Sequence, residues 1–433
     1  MPKFIIRPKL SLKERLAATV AMPAVRLTEE SKTSRRSTAL EIRQHDPEWQ
    51  RLNEWMEDAT GRSKGKSTTA RGARMTKRTA AKTLATPSPA ATQKSDFSWT
   101  VIADLTEDQA ADLRRDVPEF AVFPDRRIEL IRPMRSAVAT GAKAAGKLTT
   151  KDLWHLKRID VVNRNGRRTV KQTGAGVKVA ILDTGVEPVD EIQQQLQASY
   201  AIDRNAGQVV PLAPHADTDG HGTHVAGLVA GKKVGVAPGA ELVSLTMIPN
   251  GWGNLSDFIL AIEWVASRND IQIMNMSAGI PGFVPEIQSV VADLVALGVL
   301  PVIAIGNEGR NRTRSPGNYG EILSVGACKR DDFVAAFSSS GTLDVDHHVY
   351  PVPSLVAPGV DVYSCVMNGQ YEPWSGTSMA TPIVSGLAAL LIEQYPNIEI
   401  MDLIDEILAR AEYNDYENEI RQGYGVANLI LPE

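Results

Sequence analysis

A chain of 433 residues, 43% hydrophobic and 23% charged, has the balance of a soluble globular protein and is too long for a single hydrophobic core. It contains no apolar run long enough to cross a bilayer, and its first residues carry only Phe4-Ile-Ile6 between charges, which is not a secretory signal. A membrane partner is therefore not expected, and the cytoplasm, or export without a classical signal peptide, is. The net charge of -4 conceals a division: residues 1–150 carry 28 basic and 18 acidic side chains, the remainder 19 and 33. A basic front and an acidic body imply either two parts that attract each other or, less favoured, an arm for nucleic acid. Two cysteines, Cys328 and Cys365, make no disulfide framework and are expected as buried, reduced thiols.

Taken in chain order, residues 1–60 read as an N-terminal extension with one amphipathic helix over 47–56, its apolar face made of Trp49, Leu52 and Met56. Residues 61–96 read as a basic, flexible linker: Lys64, Lys66, Arg71, Arg74, Lys77, Arg78 and Lys82 occur with no acid until Asp96. Residues 97–135 predict a strand–helix–strand unit. Its first strand lies over 99–105, its helix opens on the capping box Thr106-Glu-Asp-Gln109, and β-prone runs follow at 120–123 and 128–131. An Ala/Gly/Lys connector covers 136–151. Within it, Gly141 to Leu148 falls short of a phosphate-binding loop, with Leu148 where a magnesium-holding Ser or Thr is needed and no strand before it.

From residue 152 the pattern changes. Apolar strands at 177–182, 242–247, 271–276, 300–305 and 322–325 alternate with helical patterns at 256–268 and 285–297. Strands apolar on both faces and separated by helices predict an α/β fold, a doubly wound parallel sheet whose active groups gather at the carboxyl ends of its strands.

Four polar residues stand where such ends are expected. Asp183 closes the first strand; its Asp-Thr-Gly also suits an aspartic protease, which needs a second copy that this chain lacks, and a turn-capping aspartate is as good a reading of the motif alone. His221 opens a helix with unusually small residues, Gly222, Ala226, Gly227, Ala230 and Gly231, which implies close packing. His221 and His224 lack a third ligand at metal spacing. Ser378 stands at another helix start, with Pro382 placed in the first turn, and reads either as a nucleophile or as an N-cap. Asn307 before Glu308-Gly309 is either a turn residue or an amide donor for an oxyanion.

Together the motifs are specific. Ile-Leu-Asp183-Thr-Gly, His221-Gly-Thr-His-Val-Ala-Gly, Ala-Ile-Gly-Asn307-Glu-Gly, Gly-Thr-Ser378-Met-Ala-Thr-Pro and Gly423-Tyr-Gly-Val-Ala-Asn428 occur in the order Asp, His, Ser. From about residue 150 onward the chain resembles the subtilisin-like serine proteases. The resemblance implies Ser378 as nucleophile, His221 as base, Asp183 as its orienting carboxylate and Asn307 as oxyanion donor, with no cofactor. It implies that Ser277, Ala278 and Gly279 wall the primary specificity pocket. Gly251, Trp252 and Gly253 then line the other side of a polypeptide substrate.

Where relatives carry a calcium loop, this chain has only Gly231-Lys-Lys-Val234, so no metal site is expected. Arg310, Arg312 and Arg314 follow Asn307 in a loop that borders the primary pocket in relatives; a solvated basic loop is expected, with a preference for acidic side chains as the sharper alternative. Residues 99–131 resemble the second half of the family's inhibitor-type propeptide, although no first half is evident before residue 95. The resemblance thus implies a zymogen whose own N-terminal prosegment inhibits it, cleaved between Arg132 and Lys151. A scaffold that kept the fold without turnover is the alternative of another class.

Overall fold

In the computed structural model, which describes residues 2–9, 46–59, 93–94, 99–135, 143 and 147–430, the strand Lys178–Asp183 lies inside an eight-stranded sheet. Across that sheet the order is Leu355–Pro358, Leu323–Cys328, Leu300–Ala304, Ile273–Met276, Lys178–Asp183, Glu241–Thr246, Leu196–Asp203 and Gln208–Pro211. Every pairing is parallel except the last. Pleating sends alternate side chains to opposite faces. Val179 and Ile181 join an apolar cluster with the helices His221–Ala230 and Thr377–Gln394, whereas Ala180 and Leu182 join one with Leu255–Ala266 and Gln288–Ala296. The sheet is therefore doubly wound, as the continuous apolar runs predict. Three strands escape sequence reading: Leu196–Asp203 and Gln208–Pro211 are half exposed at one edge, and Leu355–Pro358 is four residues long and ends in proline.

The small residues of the histidine helix do meet close neighbours. A Cβ on Gly227 would lie 2.2 Å from Ser364 Oγ and 2.7 Å from Cys365 Sγ. Cys328 and Cys365 are both buried and unpaired, and burial pushes both thiols well above their ordinary range.

The front of the chain differs from its sequence reading. Lys3–Pro8, assigned to an extension separate from residues 97–135, is a middle strand of their sheet, paired antiparallel with Val101–Asp104 and Phe120–Pro124. Gln93–Lys94 adds an edge strand. The helices Pro47–Ala59 and Glu107–Asp116 bring Trp49, Leu52, Met56 and Leu113 against Phe4, Ile6 and Val101 on one face, and the Thr106–Gln109 capping box is formed. A six-residue strand whose partners lie more than ninety residues away leaves no local signal, which is why it was missed. The rest of the expected linker 61–96, and the connector before residue 147 apart from Lys143, lie outside the described residues.

The other face of this front sheet packs on the body. Ile5 and Phe123 belong to the cluster containing Phe258, Ile262 and Val291. Arg7 is only 1% exposed, with Nη1 3.3 Å from Glu263 Oε1 and Nη2 3.8 Å from Asp293 Oδ2. Asp125 caps the body helix Leu255–Ala266, accepting from Ser256 N at 3.0 Å and Ser256 Oγ at 2.7 Å.

His155, fully buried on the short helix Trp154–Arg158, has Nε2 2.9 Å from Val234 O, and burial lowers its pKa to about 4. The unfolded chain binds the proton near 6.5, so the stabilising contribution is complete above that value. It is lost as pH falls toward 4, and flat below. This group alone is expected to remove up to roughly 3 kcal/mol over that window. Urea unfolding of wild type and His155→Gln at pH 7 and 4.5 checks this: the variant should show the shallower pH dependence, and equal slopes would refute it.

Candidate active site

Asp183, at the carboxyl end of its strand, is fully buried, and one carboxylate oxygen accepts from Thr184 N at 2.8 Å and faces His221 Nδ1 at 2.7 Å. A carboxylate partner assigns the proton to Nδ1 and leaves the lone pair on Nε2, the tautomer a general base requires. His221 Nε2 is buried and has no hydrogen-bond partner among the described residues.

The histidine helix starts on Gly220, whose φ of 91° is left-handed. Asp217, which sequence reading passed over, secures this start. Its two oxygens accept from Thr184 Oγ1, Asp219 N and Gly220 N, and from Thr223 N and Thr223 Oγ1. An acid three residues before a left-handed glycine at a helix start is the signal that would have found it. His224 instead turns away, with Nε2 3.0 Å from Glu372 O and its ring stacked 4.3 Å from Trp374.

Ser378 is the second residue of the helix Thr377–Gln394, so Pro382 lies in the second turn, not the first as expected. Proline has no N–H to give the carbonyl four residues back. That carbonyl, Ser378 O, instead faces Ser277 Oγ at 3.5 Å. Asn307 is tied to the same helix: its Oδ1 accepts from Thr377 N and Thr377 Oγ1, both at 3.0 Å. The amide can then point only its Nδ2 donor into the cleft.

Residues 127–135 occupy that cleft. Arg127–Leu130 runs antiparallel between Trp252–Asn254 and Ala278–Pro281, with Glu129 opposite both Trp252 and Gly279. Ile131 N donates to Ser277 O at 3.4 Å, and Ser378 Oγ donates to Ile131 O at 2.9 Å rather than to His221 Nε2. Asn307 Nδ2 donates to the next carbonyl, Arg132 O, at 3.1 Å. The Arg132 side chain reaches Asp219 at 3.3 Å and the Asn250 carbonyl, and Gly251 has a φ of 78° with its missing Cβ 2.5 Å from Arg132 Nη2. Beyond, Met134–Arg135 pairs with Tyr371–Ser375. Ser378, Asn307, Ser277, Ala278, Gly279, Gly251, Trp252 and Gly253 thus meet this segment, while Asp183 and His221 face each other and Asp219, two residues before His221, holds Arg132.

Two loops differ from simple expectation. Arg310 and Arg312 are exposed as a solvated loop would have them, but Arg314 is not: its guanidinium is held by Glu308 at 2.6 Å and by Gly279 O at 2.9 Å. At the short Gly231–Val234 link, the amides of Lys233 and Val234 donate to Glu191, at 2.5 and 3.1 Å. No group of three metal-capable side chains occurs among the described residues.

A doubly wound sheet with these groups at its strand ends is the architecture of a subtilisin-like serine protease. The model of the subtilase family matches residues 174–425, and the chain belongs to that family. Over 252 residues, 56% of this chain, it is 35% identical to M-protease of Shouchella clausii, covering 60% of that protein, and 35% identical to subtilisin Savinase of Lederbergia lenta, covering 85%. With subtilisin E of Bacillus subtilis it shares 34% identity over 270 residues, 65% of that protein's length. Among solved structures it resembles a cold-adapted subtilisin-like serine proteinase, with a TM-score of 0.54 and 28% identity, over 65% of this chain and 98% of the other.

Gly222 tests how tightly the dyad is set. A Cβ there would lie 1.9 Å from Gly185 O and 3.2 Å from Asp183 Cβ, so the backbone must move. Misplacement of a reacting group by an ångström costs on the order of a hundredfold. Gly222→Ala is therefore expected to slow labelling of Ser378 by a fluorophosphonate by about that factor, with Ser378→Ala unlabelled. Labelling at the wild-type rate would show that Gly222 does not position the dyad.

Proposed function

We propose that this chain is a serine endopeptidase that cleaves polypeptides through an acyl-enzyme, and that its front, ending at Ile131, is an intramolecular inhibitor. The observation that carries both halves is the segment 127–132 lying in the cleft with successive carbonyls on Ser378 Oγ and Asn307 Nδ2.

In this mechanism a polypeptide adds as a strand between Gly251–Gly253 and Ser277–Gly279, so main-chain pairing supplies much of the affinity. Ser378 Oγ passes its proton to His221 Nε2 and attacks the carbonyl carbon. Asp183 stabilises the resulting imidazolium. Asn307 Nδ2 and a helix-start backbone N–H donate to the oxyanion, and His221 returns the proton to the leaving amine. Water then attacks the ester by the reverse sequence. No step in this scheme draws on a cofactor or metal.

The same contacts explain restraint. Ser378 Oγ donates a hydrogen bond to Ile131 O instead of to His221, and nucleophile and oxyanion donor hold different carbonyls, so the tail must shift before Ser378 can attack Ile131, which makes its cleavage slow. Sequence alone put cleavage between Arg132 and Lys151. The register favours the Ile131–Arg132 bond, one residue earlier, because Ile131 engages both Ser277 O and Ser378 while Arg132 precedes Pro133.

Mass spectrometry of purified wild type should then find a new N-terminus at Arg132, absent in Ser378→Ala; processing that persists in that variant overturns the assignment. Asn307→Ala should lower kcat about a hundredfold or more, the size of loss known for such a donor in this family. Arg7→Ala removes the buried cation that reaches Glu263 and Asp293 and should weaken retention of the cleaved front, by roughly 3–5 kcal/mol for the loss of a buried ion pair. The readout is earlier onset of casein hydrolysis, and an unchanged onset would count against the docking role.

A further inference from the structure

Ile131 does not share the apolar surroundings of its neighbours. Ile128 and Leu130 join the apolar cluster of the body, whereas Ile131, equally buried at 1% exposure, belongs to none of the four apolar clusters. Its backbone is flanked by Ser277 on one side and by Asn307 and Ser378 on the other. The pocket for the residue under attack must lie between the segment 277–279 and the turn 306–308.

Arg314 spans those two walls. A Cβ on Gly279 would meet Arg314 Cβ at 3.1 Å, and one on Gly306 would meet Arg314 Cδ at 3.4 Å, so the arginine stem runs through the room that both glycines leave. Its Nη1 donates to Gly279 O at 2.9 Å, on the very residue that faces Glu129 of the tail. Its Nε and Nη2 lie 2.7 and 2.6 Å from Glu308 Oε1, beside Asn307. The second Glu308 oxygen accepts from Ser339 Oγ at 3.1 Å. The result is a crossbar of charge-assisted hydrogen bonds with little exposure and no net charge.

We infer that the Arg314–Glu308 pair closes the inner end of the primary pocket and restricts it to short or β-branched aliphatic side chains such as that of Ile131. This rests on the endopeptidase reading and names a specificity-determining pair within it. The pair also removes the reason to expect acidic substrates, because Arg314 spends its charge on Glu308. Opening the crossbar admits larger side chains, and neutralising Glu308 alone exposes the guanidinium to an acidic one. Differences of this kind alter selectivity by about tenfold or more.

The test is kcat/KM on a peptide series varying only the residue that supplies the attacked carbonyl, as Ile, Val, Phe or Glu. Wild type should favour Ile and Val over Phe and Glu. Arg314→Gly should raise the Phe-to-Ile ratio at least about tenfold, and Glu308→Gln should raise the Glu-to-Ile ratio comparably. Glu308→Gln is isosteric, so it decides the matter if Arg314→Gly does not fold. Unchanged ratios, or a wild type that takes Phe as readily as Ile, overturn the assignment. A wild-type protein that, once its front has been released, neither turns over these peptides nor labels with a fluorophosphonate overturns the endopeptidase reading, and this one with it.

Discussion

A carboxylate fully withdrawn from water at the end of a strand covered on both faces must be met by donors, and that requirement organises the centre of this molecule. Asp183 finds them for Oδ1 in Thr184 N and His221 Nδ1, while Oδ2 has no partner among the described residues. To bring the imidazole close enough, the histidine helix approaches the turn after Asp183 so closely that a Cβ on Gly222 would lie 1.9 Å from Gly185 O. To hold the helix there, Asp217 gathers Thr184, Gly220 and Thr223 around one side chain. Remove the buried carboxylate and none of these close approaches has a reason.

The start of the Ser378 helix obeys a different constraint. Pro382 denies Ser378 O its helical partner, and Ser277 Oγ, itself beside the cleft, faces that oxygen instead. Asn307 is bound through Oδ1 to the residue before Ser378. Ser378, Asn307 and Ser277 are therefore fastened to one helix start. Electrostatic stabilisation of this type depends on donors that need not reorganise.

What sequence could and could not disclose follows from how local each feature is. Asp183, His221, Asn307 and Ser378 sit at strand and helix ends, in motifs whose glycines and small residues are themselves dictated by the backbone, so a few consecutive letters carry them. The sheet was legible because strands buried on both faces are continuously apolar. Lys3–Pro8 was not, since six residues cannot announce partners at 101–104 and 120–124. Arg314 read as one of three surface charges because its meaning depends on Glu308 and on the carbonyl of Gly279, which only the fold brings together. Pro382 was misplaced by one turn because the helix begins at Thr377, earlier in its motif than proline statistics suggest.

The Arg7 contact also fixes an order of assembly. Its partner Glu263 lies 256 residues further along the chain, and Asp293 further still. During synthesis, the sheet of the front can close once residue 124 has been made, but its charged seam stays unmatched until the body helices follow. Ser378 comes later than both, and later than the segment 127–132 that lies across it. At no stage of growth, therefore, does a ribosome hold a chain with Ser378 made and the occupant of its cleft still to come.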